Sequence, residues 1–323
     1  MEQKIIHFFY TPFTGLGLYN GFRGNRWLKN RIQIFKQFVI PSLQNQTNKK
    51  FILWCSWRRE EKDNPLVQEL INYLNNIKEF KTIHTFHGVC FWDDKYPDNI
   101  ARDRLLTSLH GIAGELVNII GEVQYVYLTI QPSDDLYHKN AVEGIQRIFN
   151  EIPELEGFGF KKGYICDYLT KQVREYNPTT NPPFYTIKFP RDIFVNPLKH
   201  AEFTAIKEDI GKYKKGTPCP SHEYIGNAIK YAAVEQRGFI VGCHGENIST
   251  TFKHPFAGNI VNQEILKDFG IFNAPTLKIK YSFRKKIFHA LPFKVQRKLR
   301  YWAGEKQWIL RPFWNIVYNF LRA

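Results

Sequence analysis

The sequence predicts an α/β fold: a mainly parallel, twisted sheet flanked by helices, followed by a basic amphipathic helical tail. Three observations predict it. Short apolar runs rich in β-branched and aromatic residues alternate with segments whose apolar residues recur at helical spacing, the pattern of βα units. The strongest run, residues 123–130, is followed by two adjacent carboxylates, Asp134 and Asp135. Charge is also segregated: residues 277–323 hold twelve lysines and arginines against one acid, Glu305, and so carry +11 of the formal +15. A length of 323 residues, 43% of them hydrophobic and 16% aromatic, suits a globular chain with a full core and excludes a disordered one. The expected division is an α/β domain over 1–270 and a tail over 271–323.

Taken in order, residues 4–10 read as a first strand ending at Tyr10, Thr11 and Pro12. A loop with Gly15, Gly17, Gly21 and Gly24 follows, and its spacing matches neither a dinucleotide nor a P-loop fingerprint. Leu28, Ile32, Phe35 and Val39 then mark one buried helical face, with the helix expected to break or re-initiate at Pro41. Residues 51–55 read as a second strand, 66–74 as a helix and 82–86 as a weaker strand. An aromatic loop over 91–97 carries a rival acid pair, Asp93 and Asp94. Residues 101–109 read as a helix bearing Arg102 and Arg104, and the central strand comes next. Residues 141–148 suggest a helix; 158–160 and 164–166 suggest two short strands around a Lys-Lys-Gly turn. Residues 177–183, rich in Pro, Asn and Thr, form a loop. Residues 222–234 read as a helix, and 239–243 as a strand that ends on His244.

Five cysteines, an odd number with no CxxC pair, indicate neither a zinc site nor a disulfide framework and suit reduced thiols in the cytosol. The N-terminus lacks the pattern of a signal peptide, and no uncharged apolar run reaches membrane-spanning length. A cytoplasmic protein, peripheral on the inner face of the membrane, is the expectation.

The chemistry centres on Asp134 and Asp135. In open α/β sheets, ligands bind outside the carboxyl ends of strands. Two adjacent acids there repel unless a cation is present, and a divalent metal carrying a diphosphate answers that need. The plain alternative is a cap for the helix that follows.

Four segments, in order, resemble the GT-A glycosyltransferases, and in particular a rhamnosyltransferase-like subgroup of family 2 type. Arg31-Ile32-Gln33-Ile34-Phe35, running to Pro41-Ser42-Leu43-Gln44-Asn45-Gln46-Thr47, is similar to the first helix and its Ser-Leu/Gln-Thr turn. Ala101-Arg102-Asp103-Arg104 is similar to the segment before the metal strand. Ser133-Asp134-Asp135 is similar to the DxD acids, although Pro132 stands where the subgroup tends to have a third acid. His244-Gly245-Glu246-Asn247-Ile248-Ser249-Thr250, with His254-Pro255-Phe256, is similar to the late segment. The resemblance covers roughly residues 1–260.

It implies a hexose or deoxyhexose moved from a nucleoside-diphosphate sugar to a hydroxyl of a glycan or lipid-linked acceptor, by single-displacement inversion with Mn2+ or Mg2+. Asp135 would ligate the metal, Asp134 the metal or the ribose, and His244 would be a third ligand, with His254 competing. Arg102, then Arg104, would contact the diphosphate or base; Tyr10 and Thr11, at the end of the first strand, are further donor-site candidates. A base must reach the acceptor hydroxyl; the family's late-helix acid corresponds to Glu223, with Asp209 in reserve. Rival readings are a metal-dependent phosphodiesterase using both acid pairs, and a nucleic-acid-binding protein led by the tail. The tail's Phe313, Ile316, Val317, Phe320 and Leu321 share one helical face, and Trp302, Trp308 and Trp314 add interfacial aromatics. This composition fits a helix lying on an anionic membrane, or one packed on the domain, better than a nucleic-acid partner, since no nucleic-acid motif accompanies it.

Overall fold

The computed structural model describes residues 4–14, 24–88, 98–211, 213–218, 222–244, 252, 254–273 and 276–279; of residues 98–105 and 108 it describes the backbone alone. Gly15, Gly17 and Gly21 of the glycine loop, the Asp93–Asp94 pair, most of the late segment after His244, and the basic tail beyond residue 279 lie outside these residues. So does the two-pair site of the phosphodiesterase reading.

β1 (Ile5–Thr11) is central, buried from His7 onward. β2 (Ile52–Arg58) pairs parallel with it, Thr11 opposite Cys55. β3 (Lys81–Gly88) continues the parallel run, His84 opposite Cys55. On the other side β4 (Tyr125–Ile130) lies parallel to β1, Ile5 opposite Tyr125 and Tyr10 opposite Ile130. Buried on both faces, β1, β2 and β4 are the apolar runs of the sequence.

Beyond β4 the sheet changes character, which corrects the expectation of a mainly parallel one. β5 (Leu136–Tyr137), β6 (Gly157–Asp167), β7 (Val173–Tyr176), β8 (Tyr185–Pro190), β9 (Tyr231–Cys243) and β10 (Ala257–Val261) complete a mixed ten-stranded sheet of order β10-β7-β6-β8-β4-β1-β2-β3. β8 is antiparallel to both β4 and β6, and β7 is antiparallel to β6 and β10. β9 runs parallel to β6 and antiparallel to β5. The two short strands expected at 158–166 are therefore one, whose register shifts near Lys162.

One face of the sheet packs on the long α4 (Asp98–Ile120): Ile112, Leu116 and Ile120 meet Phe8, Trp54, Val126 and Leu128 in the main core cluster. The other face carries α1 (Gly24–Ile34), α2 (Ile40–Gln44), α3 (Pro65–Asn75) and α5 (Ala141–Glu151). There Phe13 packs against Phe35, and Tyr127 against Phe149. Helix re-initiates at Pro41, which sits in the first turn of α2. A π-helical turn, Phe35–Val39, precedes it, with the Ile40 N–H bonded to the Phe35 carbonyl. A proline ring needs room at the carbonyl four residues back, and the wider turn supplies it. Two short helices, α6 (Arg191–Phe194) and α7 (Pro197–Phe203), follow β8. The helix expected over 222–234 is a short 3-10 turn, His222–Asn227, after which the chain enters β9 at Tyr231. Strand pairing with β6 overrides the local helical pattern there.

Candidate active site

Asp134 and Asp135 lie just past the carboxyl end of β4, at the end of the short connection between Ile130 and Leu136, where β5 starts. The Ser-Leu/Gln-Thr turn after α2 straps this segment down. Ser42 Oγ donates to the Tyr137 carbonyl at 2.8 Å, and Gln46 Nε2 to that of His138 at 2.9 Å. Gln46 Oε1 accepts from the Val142 N–H at 3.2 Å, and the Thr47 N–H donates to the Lys139 carbonyl at 2.8 Å. The residues that carry the resemblance thus hold the chain that follows the acids. From the other side, Gln131 Nε2 donates to the Asp135 carbonyl at 2.9 Å.

The carboxyls have different partners. Asp134 Oδ2 is paired with Arg31 of α1 and accepts from His244 Nε2 at 3.0 Å. Its carbonyl accepts from the Tyr168 hydroxyl at 2.9 Å. Tyr168 is fully buried and its ring stacks on Phe38, in the π-helical turn, at 3.8 Å. Asp135 Oδ1 accepts from the Gly242 N–H of β9 at 2.9 Å. Burial opposes charge on both acids. At Asp134 the Arg31 guanidinium and the His244 hydrogen bond outweigh burial and hold the carboxyl well below the usual range. At Asp135 burial and the neighbouring Asp134 charge push the carboxyl well above it, against the Gly242 N–H. Two adjacent acids that cannot both ionise freely divide in this way.

The sequence therefore named Asp134, Asp135 and His244, and the structure brings all three together. Arg31 was named only within a motif; Tyr168 and Gly242 went unremarked. Arg102 and Arg104 lie in the first turns of α4, their side chains outside the description. Tyr10 is buried with its ring 4.3 Å from Trp54, in the core beneath α4. Glu223 is exposed in the 3-10 turn and accepts from the Thr180 hydroxyl at 3.4 Å; His222 donates to the Asn181 carbonyl, so this turn clasps the Pro-rich loop. Asp209 is exposed and accepts from the Lys215 N–H at 2.7 Å. His254 packs on Tyr176, ring centroids 5.4 Å apart.

A second polar group crosses β1–β3, from the carboxyl end of β1 to the middle of β2 and β3. Thr11, Cys55 and His84 form one cross-strand row. Thr11 Oγ1 and His84 Nε2 are buried without a hydrogen-bond partner among the described residues. Trp57 Nε1 donates to His84 Nδ1 at 3.4 Å, and burial lowers the imidazole pKa to about 4. The ring is thus neutral, with its proton on Nε2. Nearby Glu61 is buried and paired with the Thr14 hydroxyl; burial raises its pKa, against that bond and the Arg58 charge.

A divalent cation needs lone pairs converging from several ligands. Among the described residues no group of three or more His, Cys, Asp or Glu side chains is arranged to hold one. The inner oxygen of Asp134 faces two donors, a guanidinium and an imidazole N–H, and neither can ligate a metal as it stands. The donor set in this geometry does not fit the expected ion.

Fold and site together define a mixed α/β protein with a buried, cation-paired acid site at the carboxyl ends of its parallel strands. No protein-family model matches the chain, and no curated protein does. Among solved structures it is similar to S. aureus TarS residues 1–349, with a TM-score of 0.35 and 10% identity over 74% of this chain and 60% of that one. It is similar also to S. aureus TarS, with a TM-score of 0.30 and 9% identity over 75% of this chain and 37% of that one. Mouse xyloside xylosyltransferase 1, apo form, gives a TM-score of 0.27 and 12% identity over 49% of this chain and 52% of that one. The chain spans less than two thirds of each of these structures. Among the described residues no helix is long and apolar enough to cross a membrane.

Proposed function

We propose that the chain is a glycosyltransferase that takes a nucleoside-diphosphate sugar and passes a hexose or deoxyhexose to a hydroxyl of a glycan or lipid-linked acceptor. The observation that carries this reading is the buried Arg31–Asp134–His244 cluster beside Asp135, just past the carboxyl end of β4. Open α/β sheets bind their ligands in that crevice. Departure of a nucleoside diphosphate concentrates negative charge, and a pre-aimed guanidinium lowers the barrier by meeting it. Glu223 remains the proposed base that takes the acceptor proton, with Asp209 in reserve. No step of this reading passes through a metal.

Donor hydrolysis is the direct test. Incubation with UDP-, GDP- and dTDP-sugars, followed by assay of free nucleotide, is expected to show release from one of them. Asp134→Asn, which unbalances the Arg31 pair, is expected to lower that release by about a hundredfold, the scale seen when an electrostatic stabiliser is lost. Release from no sugar nucleotide would remove the transferase reading. Glu223→Gln is expected to slow transfer to acceptor while nucleotide binding stays intact; unchanged transfer would discard it as the base.

A further inference from the structure

We propose that Arg31 is the resident cation of the acid pair and that its guanidinium receives the donor diphosphate directly, without a divalent ion. This rests on the nucleotide-sugar reading and specifies how that site holds its substrate.

The argument follows the donors of one side chain. A guanidinium presents five N–H groups in a rigid plane. Arg31 is 6% exposed, directs Nη1 to Asp134 Oδ2 and rests over the Trp27 ring, 5.3 Å from its centroid. The ion pair with Asp134 uses Nη1, so the five-donor fork keeps capacity for a second anion. A nearly buried cation with donors left open is unfavourable unless an anion completes it. Phosphate oxygens match the guanidinium fork, which can engage two of them at once.

The surroundings fix where that fork points. His244 Nε2 binds the Asp134 carboxylate, and the Tyr168 hydroxyl holds the same residue's backbone carbonyl, so Asp134 is the anchor that orients Arg31. Trp27 limits rotation of the guanidinium plane. A divalent ion on the same carboxylate oxygen would meet a full positive charge at contact distance, and the two would repel. The absence of a three-ligand group among the described residues agrees. Arg31 and a metal on that oxygen are thus alternatives at Asp134.

Calorimetric titration of the full chain separates the possibilities. UDP, GDP and dTDP are titrated in EDTA and again with Mn2+, and Mn2+ is titrated alone. One nucleotide is expected to bind in EDTA, with an affinity within about threefold of that in Mn2+. Arg31→Gln is expected to weaken it about ten- to a hundredfold, the loss expected for charge-assisted hydrogen bonds. Arg31→Lys, which keeps the charge but not the fork, should fall between; it carries the test if circular dichroism shows Arg31→Gln to be unfolded. Mn2+ alone should not bind the wild type. Uptake of Mn2+ that Asp135→Asn abolishes, or nucleotide binding only when Mn2+ is present, overturns the proposal and leaves the transferase reading standing. Absence of binding by every nucleotide in both conditions overturns the two together.

Discussion

His7 sits in β1 at 2% exposure, inside a chain of polar side chains that crosses the sheet. Gln146 Nε2 donates to its Nδ1 at 3.2 Å, so the ring proton is on Nε2, which donates to Thr129 Oγ1 at 2.7 Å; Thr129 and Thr186 share a hydrogen bond at 2.6 Å. Burial lowers the imidazole pKa from 6.5 to about 3. Between those values the unfolded chain binds a proton that the native one refuses, so stability is lost as pH falls through that window. By pH 4.5 this group alone should remove about 2–3 kcal/mol. His200 and His84, each lowered to about 4 by burial, act in the same direction. Urea unfolding of His7→Gln at pH 7 and pH 4.5 should show a drop smaller than the wild type's by about 2 kcal/mol. An equal drop in both proteins would acquit His7.

The carboxyl end of β9 is where an element, rather than a residue, sets the site. A Cβ on Gly242 would overlap the Asp134 carbonyl and the Tyr168 ring, while the Gly242 N–H already holds Asp135. Gly242→Ala should therefore destabilise by about 1–3 kcal/mol through overpacking and weaken nucleotide binding at the same time. Thermal unfolding and calorimetry read the two effects; a variant normal in both would mean the strand does not hold the acids. Tyr168→Phe keeps the stack on Phe38 and deletes only the bond to Asp134, a loss of about 1 kcal/mol with weaker nucleotide binding. How much the sequence revealed follows the same division. β1, β2 and β4 were legible because strands buried on both faces are continuous apolar runs. β6 was not: Lys161 and Lys162 lie mid-strand and reach Glu235 at 3.4 and 2.6 Å, a pairing no local pattern announces. The amino end of β9 read as helix for the same reason, since its partner is remote. Asp134, Asp135 and His244 were legible because acids and a histidine after apolar runs stand out. Arg31 was not, because an arginine on a helix ordinarily marks a solvated face; only tertiary contact with Asp134 and Trp27 distinguishes it.

At the scale of the molecule, charge is the unbalanced quantity. A chain ending at Leu277 would keep only +4 of the +15. If the tail binds an anionic membrane, the first of the two roles its composition fits, each nearby Lys or Arg contributes about 1 kcal/mol and salt weakens the association. The full chain should then sediment with phosphatidylserine vesicles and the shortened chain should not; equal sedimentation would reject the role. Within the rest, Met1–Leu277 forms one compact unit, and Arg31 and His244 stand near its two ends in sequence. That long reach governs when the site can exist. A nascent chain has Arg31 and Asp134 long before β9 emerges, and until β9 settles between β5 and β6 nothing aligns Asp135 or caps Asp134 with an imidazole. On the nucleotide-sugar reading proposed above, nucleotide should therefore slow unfolding of the finished protein and can stabilise the chain only once β9 is in place.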